Sequence, residues 1–154
     1  MQIDAVDNHL AQAREFDRAC VPLGMYVAWC LNLGLVSETV LREHETMVLR
    51  VRMHDAHGSA LLVALGGALD ERHLNEQGKQ FTDAYYSSYM DDYSTLFGSD
   101  FYAIPDSWDN YQKLAAVLTA KLLGPKRLRR GSTDRLDAAG LVGKISKGWR
   151  KLWH

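Results

Sequence analysis

The sequence lacks long apolar runs and has only two cysteines, Cys20 and Cys30, among its 154 residues. Two isolated thiols cannot build a disulfide-rich secreted domain, so we expect free, buried cysteines in a cytosolic protein. No run approaches the roughly 20 apolar residues that a membrane-spanning helix needs. Residues 1–20 are acidic and contain no uninterrupted apolar stretch, which argues against a secretory signal peptide. The sequence therefore predicts a cytoplasmic protein.

The common catalytic and metal-binding motifs are also missing. There is no P-loop, no G-x-G-x-x-G and no G-x-S-x-G. His54 and His57 have the H-x-x-H spacing of some zinc sites but lack the glutamate of H-E-x-x-H and a third ligand, so we interpret them as solvated histidines in a loop or at a helix end. Asp91 and Asp92 are adjacent, and adjacent side chains on a helix point about 100° apart. We expect no enzyme, no catalytic residue, no cofactor and no metal.

Charge is unevenly distributed along a chain whose net charge is -1. Residues 1–124 contain nine Lys/Arg and seventeen Asp/Glu, which gives 9 - 17 = -8. Residues 125–154 contain nine Lys/Arg and two Asp, which gives 9 - 2 = +7. The change coincides with Gly124-Pro125, a pair that commonly ends a helix. We therefore predict an acidic helical body over residues 1–124 and a basic C-terminal extension over residues 125–154.

Apolar spacing predicts an all-α fold, a single compact helical domain of about five to six helices. A chain of this length suits one domain with one continuous core, in which we expect Trp29 and Trp108 to be anchors. Ser37 is expected to cap a helix, and Gly66-Gly67 and Gly98 to end two others. The predicted helices are residues 5–19, one opened by Pro22 and closed by residues 33–35, residues 37–54 with a strand-like pattern at 49–53, residues 59–65, 75–97 and 108–123, with a single turn at 70–74.

The most unusual stretch, residues 81–97, holds four of the seven tyrosines together with three aspartates. On a helix the tyrosines form one stripe, which suits either a core face or a protein contact surface rich in aromatic anchors. We expect Tyr85, Tyr89 and Phe97 to pack in the core. The expected partner-binding residues are Asp83, Tyr86, Asp91, Asp92 and Asp100.

The basic extension has the pattern of a cationic amphipathic helix, with apolar residues at three- and four-residue steps from Leu136 to Trp153. We favour a helix that docks its apolar stripe on the acidic body. Contact with an anionic membrane surface, with a partner protein or with nucleic acid are the alternatives, nucleic acid being the least favoured because the acidic body opposes phosphate binding. The expected contact residues of this tail are Arg129, Arg130, Lys144, Trp149, Arg150 and Trp153.

Residues 20–115 contain a set of motifs in a fixed order: Met25–Cys30 (MYVAWC), Gly34–Glu38 (GLVSE), Gly66-Gly67, Leu74–Tyr86, Ser88–Phe97 (SYMDDYSTLF) and Asp106–Tyr111 (DSWDNY). With these motifs the chain resembles a family of small bacterial cytosolic proteins. Genes of this family often lie beside those of toxin effectors of contact-dependent or secretion-system type.

The resemblance implies an immunity protein, which binds one cognate toxin effector and occludes it without chemistry of its own. An acidic body suits that role, because toxins that act on nucleic acids or nucleotides tend to have basic clefts. The alternative is an adaptor that associates with a membrane surface or nucleic acid through its basic C-terminal helix. The sequence does not indicate an oligomeric state.

Overall fold

Helices make up most of the chain, together with one small antiparallel sheet. The computed structural model describes residues 1–133, with side chains to residue 124. A mostly helical fold was predicted and is confirmed, whereas the sheet was missed. Short 3-10 turns lie at Glu71–His73 and Tyr86–Ser88. The elements are β1 (Gln2–Ala5), α1 (Asp7–Ala13), α2 (Phe16–Asn32), α3 (Glu38–Glu43), α4 (Glu45–Arg52), α5 (Gly58–Ala64), β2 (Ala68–Asp70), α6 (Glu76–Tyr85), α7 (Tyr89–Phe97) and α8 (Trp108–Thr133).

The N-terminal region departs most from prediction. The helix expected over residues 5–19 is instead two helices, α1 and the start of α2, with a break at residues 14–15. Strand β1, which pairs with β2 and places Asp4 opposite Leu69, was missed. A pairing partner so distant in sequence leaves no local periodicity to detect. Helix α1 ends at Arg14, whose φ of 68° is left-handed. Helix α2 then begins at Phe16, so Pro22 lies inside this helix and does not open it.

Helix α2 is the central element of the core. Its residues from 19 to 31 are all buried, including Tyr26 and Trp29 with no exposed surface. It lies against α5 where two glycines meet: a Cβ atom at Gly24 would lie 2.6 Å from the backbone nitrogen of Ser59, and one at Gly58 would clash with the carbonyl oxygen of Gly24. The absence of both side chains therefore sets how closely the two backbones approach.

Several local predictions for the following helices are confirmed. The Ser37 hydroxyl accepts a hydrogen bond from the Val40 amide at 3.4 Å and caps α3. The short helix α5 and the turn at Glu71–His73 lie where expected. The single helix predicted over residues 37–54 is instead two helices with a break at His44, and the strand-like pattern within it is helical. Breaks of this kind raise the number of helices above the five or six predicted.

The aromatic segment and the last helix also follow their predicted limits. A 3-10 turn interrupts the aromatic helix between α6 and α7, and Gly98, with φ of 85°, ends α7. The Ser107 hydroxyl accepts a hydrogen bond from the Asn110 amide at 3.2 Å at the start of α8. Within α8, Gly124 leaves the helical conformation with φ of 73° and ψ of 162°, as the Gly-Pro pair predicted.

The chain divides into two units, the first Met1–Ala115 and the second beginning at Ala116 within α8. Within the part of the chain that the structure describes, no helix is both long and apolar enough to cross a membrane. The predicted contact residues of the basic extension lie outside the residues whose side chains are described; they are Arg129, Arg130, Lys144, Trp149, Arg150 and Trp153.

Candidate functional site

The tyrosines of residues 81–97 are mainly core residues. Tyr89 and Tyr93 have no exposed surface and Tyr85 has 8%. The Tyr89 hydroxyl donates a hydrogen bond to the carbonyl of Pro22 in α2 at 2.6 Å, and burial raises the pKa of this phenol well above its ordinary value. Phe97 is half-buried and packs edge-on against Tyr93, with ring centroids 4.8 Å apart. The expectation that most of this stripe packs inward is therefore confirmed.

A pair of tyrosine variants tests this assignment. Tyr89→Phe removes a buried hydrogen bond to the Pro22 carbonyl, which keeps its donor within α2, so we expect the free energy of unfolding to fall by about 1 kcal/mol. The Tyr93 hydroxyl is equally buried but has no hydrogen-bond partner in the described part of the chain. Tyr93→Phe should therefore be neutral or stabilising. Chemical denaturation of both variants measures the difference, and equal losses would contradict the assignment.

Tyr86 lies only partly at the surface. Its ring packs edge-on against Tyr26 and stacks on Tyr89, with centroids 5.0 and 5.4 Å apart. Its hydroxyl donates to the Asp4 carboxylate at 2.5 Å. Burial first, and then the neighbouring carboxylate, raise the pKa of the phenol. The ring and the hydroxyl of Tyr86 are thus both engaged within the fold, and its partner-binding role stays a prediction.

The predicted partner-binding aspartates differ in their surroundings. Asp83 on α6, Asp91 on α7 and Asp100 in the following loop are exposed. Asp92 is partly buried and accepts a hydrogen bond from the Tyr85 hydroxyl at 2.7 Å. Three of the four aspartates thus lie at the surface, and the fourth, Asp92, is hydrogen-bonded to the buried Tyr85.

A buried polar cluster, which we call the Asp4 cluster, was missed by the sequence predictions. The Asp4 carboxylate on β1 is 8% exposed and accepts hydrogen bonds at both of its oxygens. His9 Nε2 lies 2.8 Å from Asp4 Oδ2, and the Tyr102 hydroxyl lies 2.5 Å from His9 Nδ1. In the tautomer whose Nε2–H donates to the Asp4 carboxylate, Nδ1 accepts a hydrogen bond from the Tyr102 hydroxyl. The remaining donors to Asp4 are the Tyr86 hydroxyl, the Asn8 amide and the backbone N–H of Ala5.

Hydrogen bonding decides the charge of this carboxyl. Burial alone would raise the pKa of Asp4, but the hydrogen bonds from His9, Tyr86 and Asn8 together outweigh it and lower the pKa to about 2. Asp4 is thus a fixed anion that joins β1 and α1 to the aromatic segment and to the loop before α8. An Asp inside the short apolar run Ile3–Val6 was the available signal, but its distant partners, residues 86 and 102, could not be read from it.

The H-x-x-H histidines have a packing role. The His54 ring stacks on Trp108 with centroids 4.0 Å apart and planes at 11°, and the His57 ring stacks on the same indole at 5.5 Å and 25°. Among the described residues, no group of three or more His, Cys, Asp or Glu side chains could hold a metal ion. The two histidine rings therefore pack against Trp108, the first residue of α8.

An open groove of about 600 Å³ lies in the first unit between α2 and α5. Its lining is mostly apolar and includes the buried Cys20, whose thiol has a pKa raised by burial. At one edge the Ser59 hydroxyl donates to the Asp106 carboxylate at 2.6 Å. The lining residues are Phe16, Asp17, Arg18, Cys20, Val21, Met47, Ser59, Ala60, Val63, Ile104 and Asp106.

A second concavity of about 430 Å³ adjoins the first, and Phe16 and Val63 line both. Each of these two side chains is 50% exposed, although large apolar residues are normally covered in a folded chain. No sequence pattern singled them out, because their exposure depends on how α2 and α5 cross. We refer to the two concavities and their shared ridge as the α2–α5 groove.

These features describe a mostly helical protein with a tyrosine-rich core, an exposed acidic surface and an apolar groove. The chain belongs to the family described as Domain of unknown function (DUF7832), whose model matches residues 2–105. The match includes the whole Asp4 cluster and every residue of the α2–α5 groove except Asp106. No curated protein and no solved structure matches the chain.

Proposed function

We propose that this protein is an immunity protein that binds a cognate bacterial toxin effector in the cytoplasm and occludes it. The observation that carries the proposal is the surplus of carboxylates in residues 1–124, seventeen against nine Lys/Arg, with Asp83, Asp91 and Asp100 exposed. An acidic surface raises the association rate with a basic cleft and suppresses binding to acidic partners.

The mechanism is steric and electrostatic. The toxin's cleft is closed by a folded surface, and no bond is made or broken by this chain. The titratable groups best placed for chemistry are those of the Asp4 cluster, and their polar atoms are bonded to one another inside the fold. In this proposal the hydrogen bonds of the Asp4 cluster stabilise the segments that carry the exposed aspartates.

Charge reversal tests the acidic surface. With the toxin that the proposal predicts as partner, Asp83→Lys combined with Asp91→Lys should lower the association rate about 10-fold at low salt and change dissociation little. Both side chains are exposed, so the fold should be retained. Stopped-flow fluorescence at two salt concentrations measures the effect.

The matched control is Glu43→Lys combined with Glu45→Lys, which makes the same change in net charge on α3 and α4. Glu43 and Glu45 are exposed, and Glu45 lies in the first turn of its helix as Asp91 does. We expect the control to lower the rate by less than about threefold. Equal effects of the two double variants would show that only net charge matters and would contradict a contact face at α6 and α7.

A further inference from the structure

We propose that the α2–α5 groove receives an apolar segment of the toxin that also carries lysine or arginine. This inference rests on the proposed function and adds a second, apolar contact to the acidic surface. The occupant it specifies is a basic amphipathic segment, such as one face of a helix.

The shape of the surface supports an apolar anchor. Two concavities of about 600 and 430 Å³ flank the ridge of Phe16 and Val63, and each ridge residue is half exposed. Protein contacts are dominated by a few apolar or aromatic side chains that enter such pockets, surrounded by a polar rim. The ridge and its two flanking hollows therefore suit side chains that project from one face of a partner.

The charge at the rim specifies a basic occupant. Asp7, Asp17 and Asp106 line the two concavities, and the one cation among the lining residues, Arg18, lies 3.4 Å from the Glu15 carboxylate. The charged lining residues are therefore mainly acidic, and most of the lining of the first concavity is apolar. An apolar segment with lysine or arginine at its edges complements this pattern, whereas an acidic segment is repelled.

The floor of the groove is preformed. Helices α2 and α5 approach closely at Gly24 and Gly58, next to the lining residues Ser59 and Ala60. The Cys20 thiol, whose pKa is raised further by burial, is neutral at neutral pH and adds no charge to the lining. A preformed apolar floor lowers the ordering cost of binding.

The test uses short synthetic peptides as probes, so it does not depend on identifying the toxin. The full chain should bind an amphipathic Leu/Lys peptide by fluorescence anisotropy, and should bind a Leu/Glu peptide and a Ser/Lys peptide at least about 10-fold more weakly. Comparable binding of the Ser/Lys peptide would show non-specific charge attraction and overturn the proposal.

Variants locate the binding. Val63→Lys places a cation on the exposed ridge and should weaken Leu/Lys binding about 10-fold or more, and Asp17→Lys should act in the same direction without altering the ridge. Met53→Lys is the matched control, since Met53 is 76% exposed and does not line the groove. The groove proposal is wrong if both groove variants bind as the Met53 variant does. It is also wrong if the unaltered chain does not bind the Leu/Lys peptide, whether the chain's own basic extension occupies the groove or nothing does. Either result leaves the immunity proposal to its own test with the toxin.

Discussion

Asp4→Ala is expected to lower the free energy of unfolding by about 3–5 kcal/mol, because it removes the single acceptor that a buried imidazole, a phenol and two amide donors share. Asn8→Ala removes only one exposed donor from the same cluster and should cost about 1 kcal/mol. Chemical denaturation at neutral pH measures both. Equal small losses would show that the cluster does not hold β1 and α1 in place.

The same carboxyl predicts how stability depends on pH. The pKa of Asp4 falls from 3.8 in the unfolded chain to about 2 in the fold, so the folded state favours the anion. The resulting stabilisation, about 2 kcal/mol, is fully present above pH ~4 and is lost as the pH falls towards 2. Asp4→Ala should therefore flatten this part of the stability profile, and a variant that retains the full acid-dependent loss would place its origin elsewhere.

Gly58→Ala is expected to destabilise the protein by about 1–3 kcal/mol, because the added methyl group clashes with the Gly24 carbonyl and pushes α5 from α2. The sign of the stability change distinguishes a close contact from an open one. In an unobstructed helix, replacing glycine by alanine raises the free energy of unfolding by up to about 1 kcal/mol. Thermal unfolding that shows a raised midpoint for Gly58→Ala would contradict the close crossing.

Ala64→Gly serves as the control in the same helix. Ala64 is exposed at the end of α5, so this change alters backbone freedom without altering the crossing. It should cost about 1 kcal/mol or less. A larger loss at Ala64 than at Gly58 would show that helix propensity, not the contact between the two backbones, controls the stability of α5.

Local signals in the sequence predicted most helix limits correctly. Ser37 carries a side-chain acceptor that satisfies a free amide at a helix start, and the structure places it at the start of α3. Gly66, Gly98 and Gly124 have positive φ angles, the conformation for which glycine is suited at chain reversals and helix ends. Each of these signals acts within a few residues, which is why one sequence is enough to reveal it.

Features that depend on distant residues were not predictable in the same way. The pairing of β1 with β2 joins residues 2–5 to residues 68–70. The Asp4 cluster joins residues 4 and 9 to residues 86 and 102. The exposure of Phe16 and Val63 follows from the packing of two helices that are separated by 25 residues of chain, 33–57. Apolar periodicity cannot supply such information, because it reports which face of an element is buried and not what covers it.

The structure places the residues of the predicted contact patch in different surroundings. Tyr86 and Asp92 are engaged inside the fold, with Asp4 and Tyr85 respectively. Asp83 and Asp91 remain exposed. Spacing on a helix separates the two faces of the aromatic segment only approximately, since the 3-10 turn between α6 and α7 rotates one part relative to the other. The alternation of tyrosine and aspartate in residues 81–97 thus reflects buried and exposed positions that lie next to each other in the sequence.

Co-expression with the product of the neighbouring gene, which the proposal predicts to be a toxin, tests the central proposal most directly. We expect this chain to restore the growth of cells that express the toxin and to purify with it as a stable complex. A neighbouring product that is not toxic, or a toxin that forms no complex with this chain and is not neutralised by it, would contradict the immunity function. Sedimentation with anionic vesicles in place of toxin binding would instead favour the membrane-associated adaptor.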